Sequence, residues 1–288
     1  MIKWILIFCC VAQAAMAADA RLLSSFTLSN SDDDFGGLSS IHLDDDGRTF
    51  LMTTDQGRFY SGKIERNGSE ITGVSQQKLT QIKDTKGNPV SGKSLGDSEG
   101  IAIRSNGRIY ISFERYHRVW TYRNTTSEAA WLPRHPDFKR LQNNSSLEAL
   151  AIDAKGRLYT LPERSGALGK PFPVYRYNGK AWDKRLSIPR RGAFLAVGAD
   201  FGPDGKFYLL ERNFKKPIGV YSRVRRFDLT KSGFTNEETI IESSLNQHDN
   251  LEGISVWQDD QDKIRITLVS DDNFNFIQRT ELVEYIID

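Results

Sequence analysis

The chain is poor in cysteine, in net charge and in long apolar runs, and each shortage closes off a class of function. Of its 288 residues only two are cysteine, Cys9 and Cys10, both close to the N-terminus. If that segment is removed, no thiol remains. Disulfides and thiolate catalysis are then excluded even in an oxidising compartment. Lys plus Arg minus Asp plus Glu is 39 − 37 = +2, which leaves no basic footprint for nucleic acid. The four histidines, His42, His117, His135 and His248, show no HxH or HExxH spacing, so a zinc site has no ligand set. The only long apolar run lies at the start of the chain and is too short to span a bilayer.

That run reads as a targeting segment. Met1-Ile2-Lys3 supplies a positive start, residues 4–12 an apolar stretch, and Ala15-Met16-Ala17 an A-x-A cleavage site. The expectation is a signal peptide over 1–17, a single domain over 18–288, and a periplasmic or secreted product. No membrane insertion is expected after its removal. Neither cysteine sits in a lipobox.

What is present is repetition. Five segments share one grammar: a small or acidic opener, apolar alternation, a turn, a β-rich run, then an acid. They cover 39–55, 99–115, 148–164, 197–212 and 252–272. In the first four the opener stands eight residues before a turn glycine: Ser39/Gly47, Glu99/Gly107, Glu148/Gly156, Val197/Gly205. Each reads as a hairpin, because period-two apolar stretches flank Asp-Gly, Asn-Gly or Lys-Gly. Third strands are predicted at 58–65, 118–123, 174–178, 222–228 and 281–287, and fourth strands at 71–79, 182–188 and 238–242. The fourth strand of the second unit is obscure, within 131–141. Openers recur at intervals of 60, 49, 49 and 55 residues. Four strands every fifty or so residues predict an all-β fold, a β-propeller. Five blades fit the chain, and a sixth hidden in the longest interval is the alternative. The fifth unit runs out after three strands, so strand 21–28 is expected to supply its fourth and close the ring.

This topology places acids together. The innermost strand of a blade leaves one face and the second strand returns to it. Openers Ser39, Glu99, Glu148, Val197 and Glu252 should therefore meet closers Asp55, Glu114, Glu163, Glu211 and Asp271 at one channel mouth. Like charges so crowded raise one another's pKa or demand a cation. Asp55, Glu99, Glu114, Glu148, Glu163, Glu211, Glu252 and Asp271 are thus candidate ligands. Oxygen donors alone favour Ca²⁺ or Mg²⁺, with Ca²⁺ the expected cofactor. Arg115, Arg164 and Arg212 follow three of the closers and suit either ion pairing or the grip of an anionic substrate. A structural ion-pair ring is the competing reading.

At these residues the sequence resembles the phytase-like family, described by esterase-like activity of phytase. The matching features are Gly36-Gly37-Leu38-Ser39, Asp97-Ser98-Glu99-Gly100-Ile101-Ala102, the Glu-Arg pairs at 114–115, 163–164 and 211–212, Asn250-Leu251-Glu252-Gly253-Ile254, and Leu268 to Phe274. The resemblance implies an exported propeller with calcium-dependent phosphoesterase activity. The functional expectation is metal-assisted hydrolysis of a small phosphoester or other ester by a monomer. Glu99, Glu148 and Glu252 are the candidate ligands or bases, His248 a further base, and Arg115, Arg164 and Arg212 the substrate grip. The alternatives are a non-catalytic binding or scaffold propeller and a lactone hydrolase. Gly87 to Ser94 matches GxxxxGK[ST], and 92–96 matches GxSxG. Neither has the strand-turn-helix context that a P-loop or nucleophile elbow needs.

Overall fold

A computed structural model describes residues 20–90, 92–143 and 145–287; the expected signal segment and its cleavage site lie outside them. Five four-stranded antiparallel sheets form a five-bladed propeller. Blade 1 comprises β2 (Leu38–Leu43), β3 (Thr49–Thr54), β4 (Arg58–Asn67) and β5 (Glu70–Gln81). Blade 2 holds β6 (Ser98–Ile103), β7 (Ile109–Phe113), β8 (Arg118–Tyr122) and β9 (Ala130–Trp131). Blade 3 holds β10 (Leu147–Ile152), β11 (Leu158–Pro162), β12 (Phe172–Tyr177) and β13 (Trp182–Ile188). Blade 4 holds β14 (Leu195–Phe201), β15 (Phe207–Lys215), β16 (Gly219–Thr230) and β17 (Gly233–Glu242). Blade 5 is built from β18 (Asn250–Gln258), β19 (Ile264–Asp271), β20 (Glu281–Ile287) and, from the other end of the chain, β1 (Ala20–Thr27).

The expected closure is present: β1 pairs with β20 from Ala20↔Ile287 to Thr27↔Glu281. The described residues form no sixth blade. The long first interval is taken up by the twelve-residue β5 and a connector carrying a single helical turn, α1 (Gly92–Leu95). That turn falls on the GKS stretch of the P-loop-like motif, where the sequence predicts only loop. The obscure fourth strand of blade 2 is β9, two residues long, followed by a 3-10 helix over Pro136–Arg140.

Five apolar clusters hold the ring, one at each junction between neighbouring blades. The second strands supply residues to both sides of a blade, since successive strand side chains point to opposite faces. Phe207 joins the cluster shared with blade 3 and Tyr208 the one shared with blade 5. Phe50, Tyr110 and Tyr159 are likewise junction core, as the pattern predicts.

Around the channel the blades approach closely, and sequence shows the cost. The residue after each opener is Ser40, Gly100, Ala149, Gly198 or Gly253. A Cβ on Gly100 would lie 2.8 Å from the Glu148 carbonyl oxygen of the next blade, and one on Gly198 2.6 Å from that of Glu252. Only small residues let inner strands meet at this distance.

Candidate functional site

Each inner strand carries one irregularity, and it falls at the opener. Register slips between Leu38 and Ser40, Ser98 and Gly100, Leu147 and Ala149, Ala196 and Gly198, and Leu251 and Gly253. Ser39, Glu99, Glu148, Val197 and Glu252 are therefore β-bulges. A bulge leaves its residue outside the ladder and re-aims the side chain. The five bulges fall at one level of the inner strands; Val197 there packs into the core between blades 4 and 5.

Register also defines the closers. Asp55, Glu114 and Glu163 donate their backbone N–H to the carbonyls of Gly37, Asp97 and Ser146, at 2.8, 3.0 and 2.9 Å. In blades 4 and 5 the equivalent partners are Leu195↔Arg212 and Asn250↔Asp271. The closer of blade 4 is thus Arg212, and the expected Glu211 stands one residue out of register. In blades 1 to 3 the second strand stops before its acid, whereas β15 runs on to Lys215. Alternation along that longer strand sends Glu211 into the blade and Arg212 towards the channel. Glu211 is fully buried, accepting from Arg223 (2.9 Å) and Arg225 (2.7 Å). It is a structural ion-pair centre and is not among the gathered acids.

Arg212 enters the mouth and ties it together. Its guanidinium donates to Glu163 (3.2 Å), to Asn250 (2.8 Å) and to Glu252. Asn250 also donates to Glu252, at 2.7 Å. Arg164 pairs with Glu163 at 3.2 Å and donates to Ser145 at 2.8 Å. One flank of the ring, Glu163 with Glu252, is therefore neutralised by arginine.

The other flank is not. Oxygens of Asp97, Glu99 and Glu114 lie within 4.8 Å of one another, and Glu114 shares side-chain hydrogen bonds with Glu148 and Asp97. Among the described residues, Glu99, Glu114 and Glu148 have no ion pair; Arg115 reaches Asp97 at 3.5 Å. Burial, then Asp97 and Glu114, pushes the Glu99 carboxyl well above the ordinary range. Burial, then Glu99 and Glu163, does the same to Glu148. Glu114 is pushed up to about 7 by burial and by Asp97. Asp55 faces this group closely enough to raise Glu99 further. Asp271 accepts from the Asn273 backbone at 2.7 Å. Without a cation these acids must share protons. The set is all oxygen and multiply charged, which is the chemistry of a Ca²⁺ or Mg²⁺ site.

His248 stands apart. Its Nε2 is 2.6 Å from the Tyr285 hydroxyl, and burial alone lowers its pKa to about 4. Tyr285 belongs to the core between blades 4 and 5, so His248 is packed against that core and no carboxylate tunes it.

Beside the acids lies a basic cavity of about 410 Å³, lined among others by Arg115, His117, Arg134 and Lys139. The turn that carries it places Tyr116 and His117 at φ 60° and 36°, a strained conformation for such side chains. Buried Arg118 holds it from below, stacked 3.9 Å from Phe113 and 4.1 Å from Trp120 and donating to the Arg115 carbonyl at 2.7 Å.

Two members of this site escape a reading by openers and closers, and each leaves a signal. Asp97 lies two residues before Glu99, immediately ahead of β6, at the position whose carbonyl accepts from the closer Glu114. Arg212 is seven residues after Gly205, the offset that links Gly107 to Glu114 and Gly156 to Glu163.

A family model described as Phytase-like, esterase-like activity of phytase, matches residues 33–274. No curated protein matches the sequence. Among solved structures, the chain is similar to an α-L-arabinofuranosidase of Podospora anserina in complex with cellotriose. That match is 10% identical, covers 94% of this chain and 98% of that one, and has a TM-score of 0.56. A GH62 α-L-arabinofuranosidase catalytic domain of Coprinopsis cinerea follows at 9% identity, with the same two coverages and a TM-score of 0.53. The tail fibre of Staphylococcus aureus phage P68 is 13% identical, with 94% of this chain, 53% of that chain and a TM-score of 0.50. At such identities the likeness is one of fold.

Proposed function

The chain belongs to the Phytase-like family, and from that premise we propose that it is an exported, metal-assisted hydrolase of phosphoesters or other esters, acting at the acidic mouth. One observation carries the reading: Glu99, Glu114 and Glu148 crowd together with Asp97 and have no ion pair among the described residues, while Arg164 and Arg212 serve the opposite flank. An acid cluster kept only for stability would be expected to have its charges paired.

Asp97, Glu99 and Glu114 are the ligands best placed for Ca²⁺, with Glu148 against them. A divalent cation held there would supply positive charge for a developing oxyanion and acidify a bound water. Glu148 is the residue to hold and release a proton, because burial keeps its carboxyl protonated where an ordinary glutamate has ionised. Arg115, with Arg134 and Lys139 in the adjoining cavity, would seat an anionic part of the substrate. Arg212 orients Glu163 and Glu252 and keeps their charge away from that substrate.

Glu148→Gln tests the proposal. It keeps shape and removes an ionisable group, so the fold should survive. Calcium titrated calorimetrically should bind the wild type, and the variant at least about tenfold more weakly. Any metal-dependent turnover across phosphomonoester, carboxylester and lactone substrates should vanish with it. Equal calcium response in both proteins, with a lower melting point in the variant, would favour the scaffold reading, for which the Arg212 clamp is the supporting observation. Turnover confined to lactones would assign the site to a lactonase. Export is checked by the mature N-terminus, expected at Ala18 or Asp19.

A further inference from the structure

Exposed apolar side chains are not scattered over this molecule. Ten large ones are exposed among the described residues. Leu22 and Trp131 lie on the outer strands β1 and β9. Of the other eight, Phe214 stands at the exposed end of β15, and Leu95, Tyr116, Leu168, Ile218, Phe274, Phe276 and Ile277 sit in turns between second and third strands or in a connector to an inner strand. Topology brings all of those segments to one face, the face of the acidic mouth. The turns of the opposite face contribute none.

The three turns that carry most of those tips are basic. Segments 164–171, 213–218 and 273–279 contain no Asp or Glu and supply Lys170, Lys215 and Lys216, together with Arg164 and Arg279, which pair with Glu163 and Glu281 at 3.2 and 2.8 Å. On the opposite face charge is mixed: turns 44–48 and 259–263 carry three aspartates each, and turn 104–108 carries Arg104 and Arg108 with no acid. The acidic stretch 32–34 also borders the mouth, and there Asp34 is paired with Arg58. Phe276 and Ile277 are 97% and 74% exposed, which is costly in water for side chains of this size unless something covers them.

We propose that this face docks on an anionic phospholipid bilayer, with the apolar tips of blades 3, 4 and 5 in the interface and Lys170, Lys215 and Lys216 against headgroup phosphates. Apolar tips flanked by cations match what such an interface offers, acyl chains beneath negative headgroups. The tips stand on separate loops around a ring, which suits a broad fluid surface. The acids do not oppose docking, since Glu99 and Glu148 are buried in the channel and the rim cations are what the surface meets. In this pose the channel opens towards the bilayer. The inference is independent of hydrolysis, because binding is read without turnover.

Co-sedimentation of the full protein with vesicles tests it, using phosphatidylcholine alone and phosphatidylcholine with about 30% phosphatidylglycerol. The wild type should bind the anionic vesicles at least about tenfold more tightly than the neutral ones. Combined Leu168→Ser, Phe214→Ser, Phe276→Ser and Ile277→Ser should weaken that binding at least about tenfold. Lys215→Glu with Lys216→Glu should remove the preference for phosphatidylglycerol. Leu168, Lys216, Phe276 and Ile277 lie in exposed turns and Phe214 and Lys215 at the exposed end of β15, and an unchanged melting curve verifies the fold. Absence of binding to anionic vesicles overturns the proposal. So does binding that the apolar-tip variant retains, which would assign it to another part of the chain, such as the N-terminal apolar segment. A wild type that ignores vesicles and self-associates through its tips would make the face a protein interface instead.

Discussion

At the scale of the residue, adjacent side chains on one strand have opposite lives. Glu211 points into blade 4 and is held by Arg223 and Arg225, the latter also bridging to Glu237 at 2.8 Å. Arg212 points into the channel and holds Glu163 and Glu252. Removing one charge from a fully buried pair strands its partners and costs roughly 3–5 kcal/mol. Glu211→Gln should therefore lower the melting point by roughly 10 °C for a domain of this size, with calcium binding unaltered. A calorimetric titration beside the melting curve checks both halves. Altered calcium affinity in that variant would place Glu211 with the ligands after all.

At the scale of the element, the bulge is what makes the mouth. Without it, each opener would alternate regularly within its ladder; with it, Glu99, Glu148 and Glu252 are re-aimed, whereas Val197 packs into the core between blades 4 and 5 and the Ser39 hydroxyl bonds Thr53 and the Ser98 carbonyl. The second device is closure. β1 covers the outer edge of β20 along its whole length, and it joins the two ends of the chain in one sheet. Deleting residues 20–27 would bare that edge and uncouple blade 5 from the N-terminal segment that leads into blade 1. The expected outcome is loss of the cooperative melt, or a midpoint lowered by more than about 10 °C, measured by circular dichroism. A deletion protein that melts like the full chain would show that the ring does not depend on this strand.

At the scale of the molecule, charge is concentrated on one axis, and its ionisation should govern stability. Glu114 and Asp200 are both raised to about 7 by burial, from model-compound values of 4.5 and 3.8, and Glu99 and Glu148 are raised in the same direction. In this window the folded protein binds protons that the unfolded chain has already released. Stability therefore falls as pH rises. Buried His42, His117 and His248 are lowered from 6.5 and act in the opposite sense, but only below about pH 6.5. Glu237, held down to about 2 chiefly by Arg191, matters only in stronger acid. Metal-free protein should thus lose melting temperature steadily between about pH 6.5 and 8. Added calcium should flatten or reverse that slope, because it binds the ionised carboxylates. A metal-free melting point that rises across the same interval would contradict the crowded-acid description.

Much of this was open to reading in the sequence alone. The eight residues from opener to turn glycine in the first four units and the three-stranded last unit point to five blades, their junction aromatics and the closing strand, while the long first interval left room for a sixth. These features are local and periodic, and periodicity survives translation into structure without knowledge of partners. The common mouth follows from strand direction alone, so Glu99, Glu114, Glu148 and Glu163 could be grouped before any coordinate was known. Only the tertiary structure decided which acids are free of arginine. Whether Glu211 or Arg212 faces the axis depends on how far β15 stays paired with β16, and a one-residue slip exchanges the two faces of a strand. Whether His248 meets a carboxylate or Tyr285 depends on packing between residues 37 positions apart. Whether Glu148 holds its proton depends on Glu99 and Glu163 in its own and the neighbouring blade. Distances between strands from different blades set those energies, and no pattern along a single strand contains them.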